Sequence, residues 1–285
     1  MARYLSDHPQ VFMPVAKELH YFGSDLDYRR RRPTTMEYLA AFSGAGDAKR
    51  VGEASIGYLY STRAPAEILE FSPHADILIM LRDPVEMVAS QHAQEGFMGH
   101  EELEDLEAAL AAEDDRAAGR RLPSGSTAPY LLRYTWLARY ADHVERYLEA
   151  FGPSRIHITL FDDFRRDTAG AYAGVVRFLG CDPAFTPALP VVNPRKGVRS
   201  SRLQRLVRDP PPVIRAVARR LLPLGARVRS RNVLYRLNTR GAATRPMSAA
   251  LRARLRAEFA PDVRRLAELI GRDLSAWMPD AQEQV

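Results

Sequence analysis

Cysteine, metal-ligand patterns and long apolar runs are scarce in this sequence, and each absence excludes a class of protein. Cys181 is the only cysteine among the 285 residues, so no internal disulfide can form. Its setting in "FLGCDPAF" predicts a small buried hydrophobe near a helix end. The seven histidines show no metal-ligand spacing, and the acidic residues form no Asp-x-Asp-x-Asp loop. We therefore expect no structural or catalytic metal.

Membrane-spanning and secretory patterns are also missing. No apolar run approaches the length of a membrane span, and the first residues contain no basic segment followed by an apolar one. We therefore expect a soluble, cytoplasmic protein without a transmembrane segment. With 46% hydrophobic residues the chain can bury one substantial core, so a single domain over residues 1–285 is expected.

Lysine is scarce although the chain is basic. The formal net charge is +6, but lysine occurs only at Lys17, Lys49 and Lys196, and the other basic residues are arginine. No zinc finger, RNP motif or basic-aromatic alternation accompanies this charge, so we expect no nucleic-acid partner. A positive balance also suits a protein that binds a polyanionic small molecule, and composition alone does not separate these two cases.

Strands and helices alternate along the chain. The continuous apolar run "ADILIMLRDP" is typical of a strand buried on both faces in a parallel sheet, and Asp83 with Pro84 then predicts a helix start. A long aromatic helix over "TAPYLLRYTWLARYADHVERYLEAFG" is expected to end at Gly152, followed by a second buried strand in "RIHITLFDDF". The pattern predicts an α/β fold whose ligands lie beyond the carboxyl ends of parallel strands.

Two charged segments flank these elements. The acidic "EELEDLEAALAAEDDRAAGRRLPSGSTAP" predicts a solvated helix and a surface connection, and a segment there could also cover a cleft. A basic variable segment spans about 202–245, where a triple proline excludes one continuous helix. We interpret it as a solvated or partner-facing surface in preference to a membrane-surface helix. C-terminal helices over 247–275, with a stop at Gly271, are expected to close the domain.

The segment "KELHYF" brings a carboxylate close to an imidazole. In an extended conformation Glu18 and His20 would point to the same side, away from Leu19 and Tyr21. Such a pair makes a general base with an orienting partner, able to take a proton from a hydroxyl. The alternative is a surface Lys-Glu pair next to a core aromatic residue.

Two basic clusters could bind an anion. Arg82 follows the buried strand and Ser90 lies two helical turns past the Asp83 cap, so a guanidinium and a hydroxyl could reach one phosphate. The alternative is an Arg82 paired with Asp83 or Glu86, but its place at a strand's carboxyl end favours binding. The loop "VVNPRKGVRSSRL" could also close over an anion, although a plain basic loop is the alternative there.

Taken in order, "KELHYF", "GEASIGYLYS", "ILIMLRDPVEMVASQH", "ITLFDDF" and "NPRKGVRS" resemble one family. This family is the sulfotransferases that use 3'-phosphoadenosine 5'-phosphosulfate (PAPS), especially bacterial members akin to heparan sulfate and other carbohydrate O-sulfotransferases. The resemblance extends from the first residues to about Arg202. It implies a P-loop-NTPase-like three-layer α/β sandwich with a central parallel sheet.

The resemblance also implies a reaction and a set of site residues. Arg82 and Ser90 would bind the 3'-phosphate of PAPS, with the loop around Lys196, Gly197 and Arg199 closing over the same end. Glu18 matches the carboxylate that serves as base in glycan 3-O-sulfotransferases, with His20 beside it. The acceptor hydroxyl would belong to a small molecule, a carbohydrate or a glycolipid, and peripheral contact with lipid or an acidic glycan is compatible with the basic segment.

The sequence departs from the family pattern at two places. Relatives usually read Glu-Lys-Ser/Thr-Pro where this chain reads "EASI", so Ala54 replaces a lysine that can line the acceptor site. Relatives also begin with a strand and a loop like Lys-x-Gly-Thr-Thr, and no Gly-rich phosphate loop occurs in this sequence. Because "MARYLSDHPQ" resembles the helix after that loop, we expect this chain to lack the first strand and phosphate loop, either because the true start lies upstream of Met1 or because the gene is truncated. We therefore expect sulfuryl transfer by this chain to be impaired.

Two other classes of protein share part of this pattern. A P-loop kinase-like nucleoside phosphotransferase should show a Walker-type Gly-Lys-Ser/Thr and magnesium-binding carboxylates, and neither is visible. A truncated or degenerate sulfotransferase relative that binds a nucleotide without catalysis is the alternative that stays open.

Overall fold

The computed structural model of the chain describes residues 1–29, 31–189, 196–198, 220, 233, 239–241 and 247–279, and for 196–198 and 239–241 it describes the backbone alone. The α-helices in chain order are α1 (Ala2–Leu5), α2 (Thr35–Ala40), α3 (Ala64–Phe71), α4 (Pro84–Met98), α5 (Leu106–Ala111), α6 (Glu113–Ala117), α7 (Tyr134–Ala138), α8 (Tyr140–Phe151), α9 (Phe161–Arg166), α10 (Thr168–Phe178) and α11 (Ala249–Ile270). The strands are β1 (Val11–Phe12), β2 (Arg50–Val51), β3 (Ile77–Leu81), β4 (Ile156–Leu160), β5 (Lys196–Val198) and β6 (Thr239–Gly241). Short 3-10 helices are Ile56–Tyr60, Pro129–Leu132, Pro153–Arg155 and Ser275–Trp277.

The chain divides into two compact units. The first unit comprises Met1–Glu86, Leu137–Val192 and Ala253–Val285, and the second comprises Met87–Trp136 and Asn193–Arg252. The single domain expected from the sequence is not tested by this division and stays a prediction.

Parallel strand pairs form the sheet framework of the first unit. β1 pairs with β2 in parallel, and β3 pairs with β4 in parallel over their full length. This arrangement confirms the parallel pairing expected from the apolar runs. Among the described strands the two pairs are not joined to each other, so each of these four strands has one edge without a strand neighbour. The described residues do not test the expected loss of the first strand and phosphate loop, which stays a prediction.

β3 is less buried than its sequence predicts. Ile79 and Leu81 are buried, whereas Leu78 and Met80 are 37% and 39% exposed. The prediction of a strand buried on both faces is therefore wrong for one face. Successive side chains of a strand point to opposite sides, and within the described residues only the side of Ile79 and Leu81 is fully covered.

An apolar core fixes β1 against two helices. Helix α1 and strand β1 pack on α10, and Cys181 lies in the same cluster, 5% exposed, so the prediction of a small buried hydrophobe is confirmed. The buried members of this cluster are Tyr4, Leu5, Val11, Tyr172, Val175, Val176, Leu179 and Cys181. Burial of side chains of this kind stabilises the fold by about 1.5–3 kcal/mol each.

The predicted helix start after β3 is confirmed. The Asp83 carboxylate accepts hydrogen bonds from the backbone N–H groups of Val85 at 2.8 Å and Glu86 at 3.2 Å. Pro84 stands at the first position of α4, where its missing N–H costs nothing. Asp83 also pairs with Arg256 of α11 at 3.3 Å, which ties this turn to the C-terminal helix.

The long aromatic helix is interrupted. The backbone of Arg139 has ψ 86° and lies outside the helical region, so α7 ends at Ala138 and α8 begins at Tyr140. The Asp262 carboxylate of α11 accepts a hydrogen bond from the backbone N–H of Ala141 at 3.3 Å. It thereby supplies an acceptor for a backbone group in the first turn of α8, which has none inside the helix. The predicted end at Gly152 is confirmed, because this glycine has a left-handed φ of 73°.

A buried ion pair lies in the second unit, inside the acidic segment. Arg116 and Glu101 approach to 2.8 Å with about 1% of each side chain exposed, and the Tyr134 hydroxyl donates to Glu101 at 2.7 Å. Burial alone would raise the pKa of Glu101, but hydrogen bonds from Tyr134, the Leu103 backbone and Arg116 hold it below its usual value. The prediction of a wholly solvated helix is therefore wrong for these residues.

The remaining sequence-based predictions fall on other parts of the chain. Most of the basic segment 202–245 lies outside the described residues. The C-terminal helix α11 is continuous from Ala249 to Ile270 with Pro261 inside it, and Gly271 follows with a φ of 61°. Among the helices of the described ranges, none combines the length and apolarity needed to cross a membrane.

Removing the buried cation should destabilise the second unit strongly. We expect Arg116→Ala to lower the free energy of unfolding by about 3–5 kcal/mol, because Glu101 is left buried and unpaired. Urea denaturation followed by circular dichroism measures the change. Arg120→Ala is the matched control, since Arg120 and Asp115 form an exposed pair at 2.8 Å, and it should have little effect. Equal losses of unfolding free energy in the two variants would contradict the assignment of a stabilising role to the buried pair of Arg116 and Glu101.

Candidate functional site

Two segments leave the same end of the β1–β2 pair and meet there. Phe12 lies opposite Val51 in parallel register, so the chain after each strand continues beyond the same carboxyl edge. Residues 13–22 follow β1 and residues 52–58 follow β2. The carboxyl ends of parallel strands are where α/β folds bind ligands.

The segment that carries Glu18 and His20 is not extended. Glu18 has a φ of 56° and His20 a φ of 52°, so both adopt the left-handed conformation. The extended conformation predicted for "KELHYF" is therefore wrong. Left-handed backbone is unfavourable for residues with a side chain, by about 1–2 kcal/mol each, and persists only where surrounding contacts impose it.

Hydrogen bonds that the backbone of residues 18 and 19 donates to residues 53 and 54 supply those contacts at the start of the loop. The Glu18 N–H donates to the Ala54 carbonyl at 3.1 Å. The Leu19 N–H donates to the carboxylate of Glu53. Both donors thus have an acceptor on the neighbouring segment, as buried backbone groups require.

The same pattern continues through the next three residues. The His20 N–H donates to the Ser55 hydroxyl at 3.4 Å. The Tyr21 and Phe22 N–H groups both donate to the Tyr58 hydroxyl, at 3.0 and 3.4 Å. Every N–H from residue 18 to residue 22 therefore has an acceptor in residues 53–58. We call this set of contacts the loop clamp.

Glu53 lies at the centre of the loop clamp. Its carboxylate accepts hydrogen bonds from the hydroxyls of Tyr58 at 2.6 Å, Ser55 at 2.8 Å and Tyr38 at 3.3 Å. Burial raises the pKa of Glu53, and these hydrogen bonds oppose that rise by favouring the ionised form.

The carboxylate of Glu18 has an unusual proton affinity. Burial raises its pKa to about 7, the backbone N–H of Ile56 opposes that rise through a 3.0 Å bond, and the nearby Glu53 adds to it. The exposed Lys17 lowers the pKa by a smaller amount. Glu18 is half-buried, so the alternative of a plain surface Lys-Glu pair does not describe it. A carboxylate of this kind accepts protons near neutral pH.

His20 is held by an aromatic contact next to the loop clamp. Its ring lies 4.5 Å from the ring of Tyr28, measured between centroids. The guanidinium of Arg32 lies 5.4 Å from the same Tyr28 ring. The structure therefore places both predicted members of the Glu18 and His20 pair in one short, tightly bonded loop.

Arg82 lies at the carboxyl end of β3, as the sequence predicts. Its guanidinium contacts Glu86 at 3.3 Å and lies 5.1 Å from the centre of the Phe161 ring, with 20% of the side chain exposed. The pairing with Glu86 corresponds to one of the alternatives considered from the sequence. Asp83 instead pairs with Arg256.

The other predicted anion-binding residues are less fully described. Ser90 lies on α4 and is half-buried. Lys196 and Gly197 belong to β5, which pairs antiparallel with β6, so the expected basic loop contains a short strand. Arg199 lies outside the described residues. The shared binding of a phosphate by Arg82 and Ser90, with Lys196, Gly197 and Arg199, stays a prediction.

Sequence reasoning gave no role to Glu53, Ser55 or Tyr58. All three lie in "GEASIGYLYS", which was recognised only as a segment of the family pattern. The available signal was the concentration of one carboxylate and two hydroxyls directly after a strand. Within the part of the chain that the structure describes, no group of three or more His, Cys, Asp or Glu residues is arranged to hold a metal.

Comparison with known proteins gives a family and similar solved structures. A family model described as "Sulfotransferase domain" matches residues 17–194, which include Glu18, Arg82 and Ser90. The chain is similar to the crystal structure of a sulfotransferase from Alicyclobacillus acidocaldarius, with 28% sequence identity and a TM-score of 0.70. The likeness covers 96% of this chain and 91% of that chain, and it confirms the predicted α/β fold class. No curated protein matches the chain.

The raised pKa of Glu18 predicts a pH-dependent gain in stability when the carboxylate is removed. The folded chain keeps the Glu18 proton up to about pH 7, whereas the unfolded chain releases it near the ordinary glutamate pKa of 4.5. Stability is therefore lost as pH rises between these two values. We expect Glu18→Gln to match wild type at pH 4 and to exceed it by roughly 1–3 kcal/mol at pH 8.

Urea denaturation at several pH values measures this difference, with Glu37→Gln as the control for its sign. Hydrogen bonds from Arg31 and Thr34 lower the pKa of the exposed Glu37 to about 2, so its charge favours the folded state above pH 4.5. Glu37→Gln should therefore be no more stable than wild type at pH 8. A Glu18→Gln gain that is the same at every pH would refute the titration of Glu18.

Proposed function

Because the chain belongs to the sulfotransferase domain family, we propose that it moves a sulfuryl group from PAPS to an acceptor hydroxyl, with Glu18 as the base. The products are a sulfate ester and adenosine 3',5'-bisphosphate. The observation that carries the proposal is the environment of Glu18. A half-buried carboxylate with a pKa of about 7 lies beyond the carboxyl end of β1, inside the residues that match the family.

In the proposed reaction one bond to sulfur forms, one bond to sulfur breaks and one proton is transferred. The acceptor oxygen forms a bond to sulfur, and the bond between sulfur and the bridging 5'-phosphate oxygen breaks. The hydroxyl proton passes to the Glu18 carboxylate, whose proton affinity suits this transfer near neutral pH. The backbone N–H of Ile56 donates to the Glu18 carboxylate at 3.0 Å and so fixes its direction. His20 lies in the same loop beside the base.

The donor binds through its 3'-phosphate in this proposal. The Arg82 guanidinium supplies a charge-assisted hydrogen bond, and the Ser90 hydroxyl supplies a second donor to the same phosphate. Arg82 then exchanges part of its contact with Glu86 for the phosphate. Lys196, Gly197 and Arg199 contribute to the same end of the nucleotide. No metal is needed, because these cationic groups balance the charge of the phosphate.

The acceptor in this proposal is a hydroxyl of a carbohydrate or a glycolipid. Support comes from the likeness of the Glu18 segment to glycan sulfotransferases. Ala54 contributes no charge where relatives carry lysine, so we expect weaker preference for anionic groups directly beside Glu18. Peripheral contact with lipid or an acidic glycan, and a cytoplasmic location, belong to the same proposal.

Donor binding tests the role assigned to Arg82 and Ser90. We expect adenosine 3',5'-bisphosphate to bind the chain in isothermal titration calorimetry. Arg82→Met should weaken binding by about 10- to 100-fold and Ser90→Ala by less, because a charged hydrogen bond contributes more than a neutral one. Arg120→Met, at an exposed arginine of the second unit, should leave the affinity unchanged. Equal binding by all these variants would remove Arg82 and Ser90 from the site.

Turnover tests the role assigned to Glu18. With radiolabelled PAPS and a panel of carbohydrate and glycolipid acceptors, we expect Glu18→Gln to lower kcat by about 10²- to 10⁴-fold. Its affinity for adenosine 3',5'-bisphosphate should not change, because Glu18 contacts the acceptor. An unchanged kcat would show that another group is the base.

The combination of these measurements separates the proposal from its alternatives. Nucleotide binding without transfer to any acceptor would favour the non-catalytic relative. Transfer of a phosphoryl group from a nucleoside triphosphate would favour the phosphotransferase class.

A further inference from the structure

We propose that Glu53 and Tyr58 are positioning residues that hold the loop of residues 18–22 in its left-handed conformation and thereby aim Glu18. The inference rests on the proposed role of Glu18 as base. It assigns a function to the "GEASIGYLYS" segment that goes beyond binding of either substrate.

The loop has no regular structure of its own to satisfy its backbone. Its five N–H groups donate to one carbonyl, one carboxylate and two hydroxyls of residues 53–58. Each of these partly buried N–H groups that loses its acceptor weakens the local conformation, because a protein hydrogen bond is lost. The left-handed φ values of Glu18 and His20 add strain that the same contacts must offset.

Glu53 organises the acceptors as well as serving as one. The Tyr58 hydroxyl can accept from Tyr21 and Phe22 because its own proton is donated to Glu53 at 2.6 Å. The Ser55 hydroxyl accepts from His20 because its proton is donated to the same carboxylate at 2.8 Å. A hydroxyl has one proton and two lone pairs, so fixing the proton leaves the lone pairs for the loop. Glu53 therefore orients both acceptor hydroxyls.

The carboxylate charge of Glu53 has a second effect on Glu18. Like charges placed close together disfavour ionisation, and Glu53 contributes to the raised pKa of Glu18. Glutamine at position 53 carries no charge and keeps one acceptor oxygen, which can serve the Tyr58 and Tyr38 hydroxyls that share one carboxylate oxygen, but its NH2 group cannot accept from Ser55. The two effects of Glu53, on loop geometry and on proton affinity, can thus be separated by substitution.

Amide hydrogen exchange of residues 18–22 tests the geometric effect. In Glu53→Ala we expect exchange at Leu19 to become faster by about tenfold, the factor that one ordinary hydrogen bond supports. In Tyr58→Phe the same acceleration is expected at Tyr21 and Phe22. In Glu53→Gln exchange at Tyr21 and Phe22 should stay close to wild type, because the one amide oxygen can still accept from the Tyr58 hydroxyl.

Carbon-13 NMR of the Glu18 side chain tests the electrostatic effect. Glu53→Gln should lower the pKa of Glu18, since the like charge is gone while the acceptor of the Tyr58 hydroxyl is kept. If the chain shows turnover, Glu53→Ala should lower kcat at least tenfold with little change in KM for PAPS, and Glu53→Gln should restore most of it.

Tyr147→Phe is the matched control. Tyr147 donates to the Tyr58 carbonyl at 2.7 Å and so contacts the same 3-10 helix without contacting residues 18–22. We expect it to leave both loop exchange and the Glu18 pKa unchanged. Unchanged exchange in Glu53→Ala and Tyr58→Phe, or equal acceleration in Tyr147→Phe, would overturn the proposal. An unchanged Glu18 pKa in Glu53→Gln would overturn its electrostatic part.

Failure of the proposed function would give a different result. Exchange and NMR require no nucleotide or acceptor. Absence of turnover in every protein, together with the expected loop and pKa changes, would reject Glu18 as a base and leave the positioning of the loop established.

Discussion

The hydrogen bonds that join residues 18–22 to residues 53–58 are the constraint on which the rest of the site depends. Residues 18–22 form no helix or strand, and the other segment has only the short 3-10 helix Ile56–Tyr60, so the backbone N–H groups of residues 18–22 find their acceptors in residues 53–58. Glu53 supplies the acceptor that also orients Tyr58 and Ser55. In the proposed arrangement the half-buried carboxylate of Glu53 helps to place the second carboxylate, Glu18, and contributes to its raised pKa.

The fold places these segments together by strand register. β1 and β2 are only two residues long, but their parallel pairing makes the chain after each strand leave at the same edge. The core of α1, β1 and α10 fixes the first strand, and Arg50 secures the second by donating to the Leu179 carbonyl at 2.6 Å. The site is therefore built on a small sheet whose position is set mainly by side-chain packing.

Much of the framework could be predicted from the sequence because its signals are local. The Asp83 and Pro84 helix start and the end of α8 at Gly152 follow from residue types with strong conformational preferences. The conformation of Glu18 and His20 could not be predicted, since glutamate gives no signal for a left-handed φ and histidine only a weak one, and the contacts that impose it come from a segment more than thirty residues away. Likewise, charge patterning did not distinguish Glu101 from its solvated acidic neighbours, because its burial depends on Arg116 and Tyr134.

The left-handed backbone at Glu18 and His20 has a consequence for how sequences of this kind can vary. Glycine would relieve the strain at both positions, so mutation under selection for folding alone would tend to replace these residues. A chain that keeps glutamate and histidine there gives up folding stability at two points of one loop. Under the proposed function, drift toward glycine or asparagine at these two positions would therefore mark descendants in which the loop has lost its role in transfer.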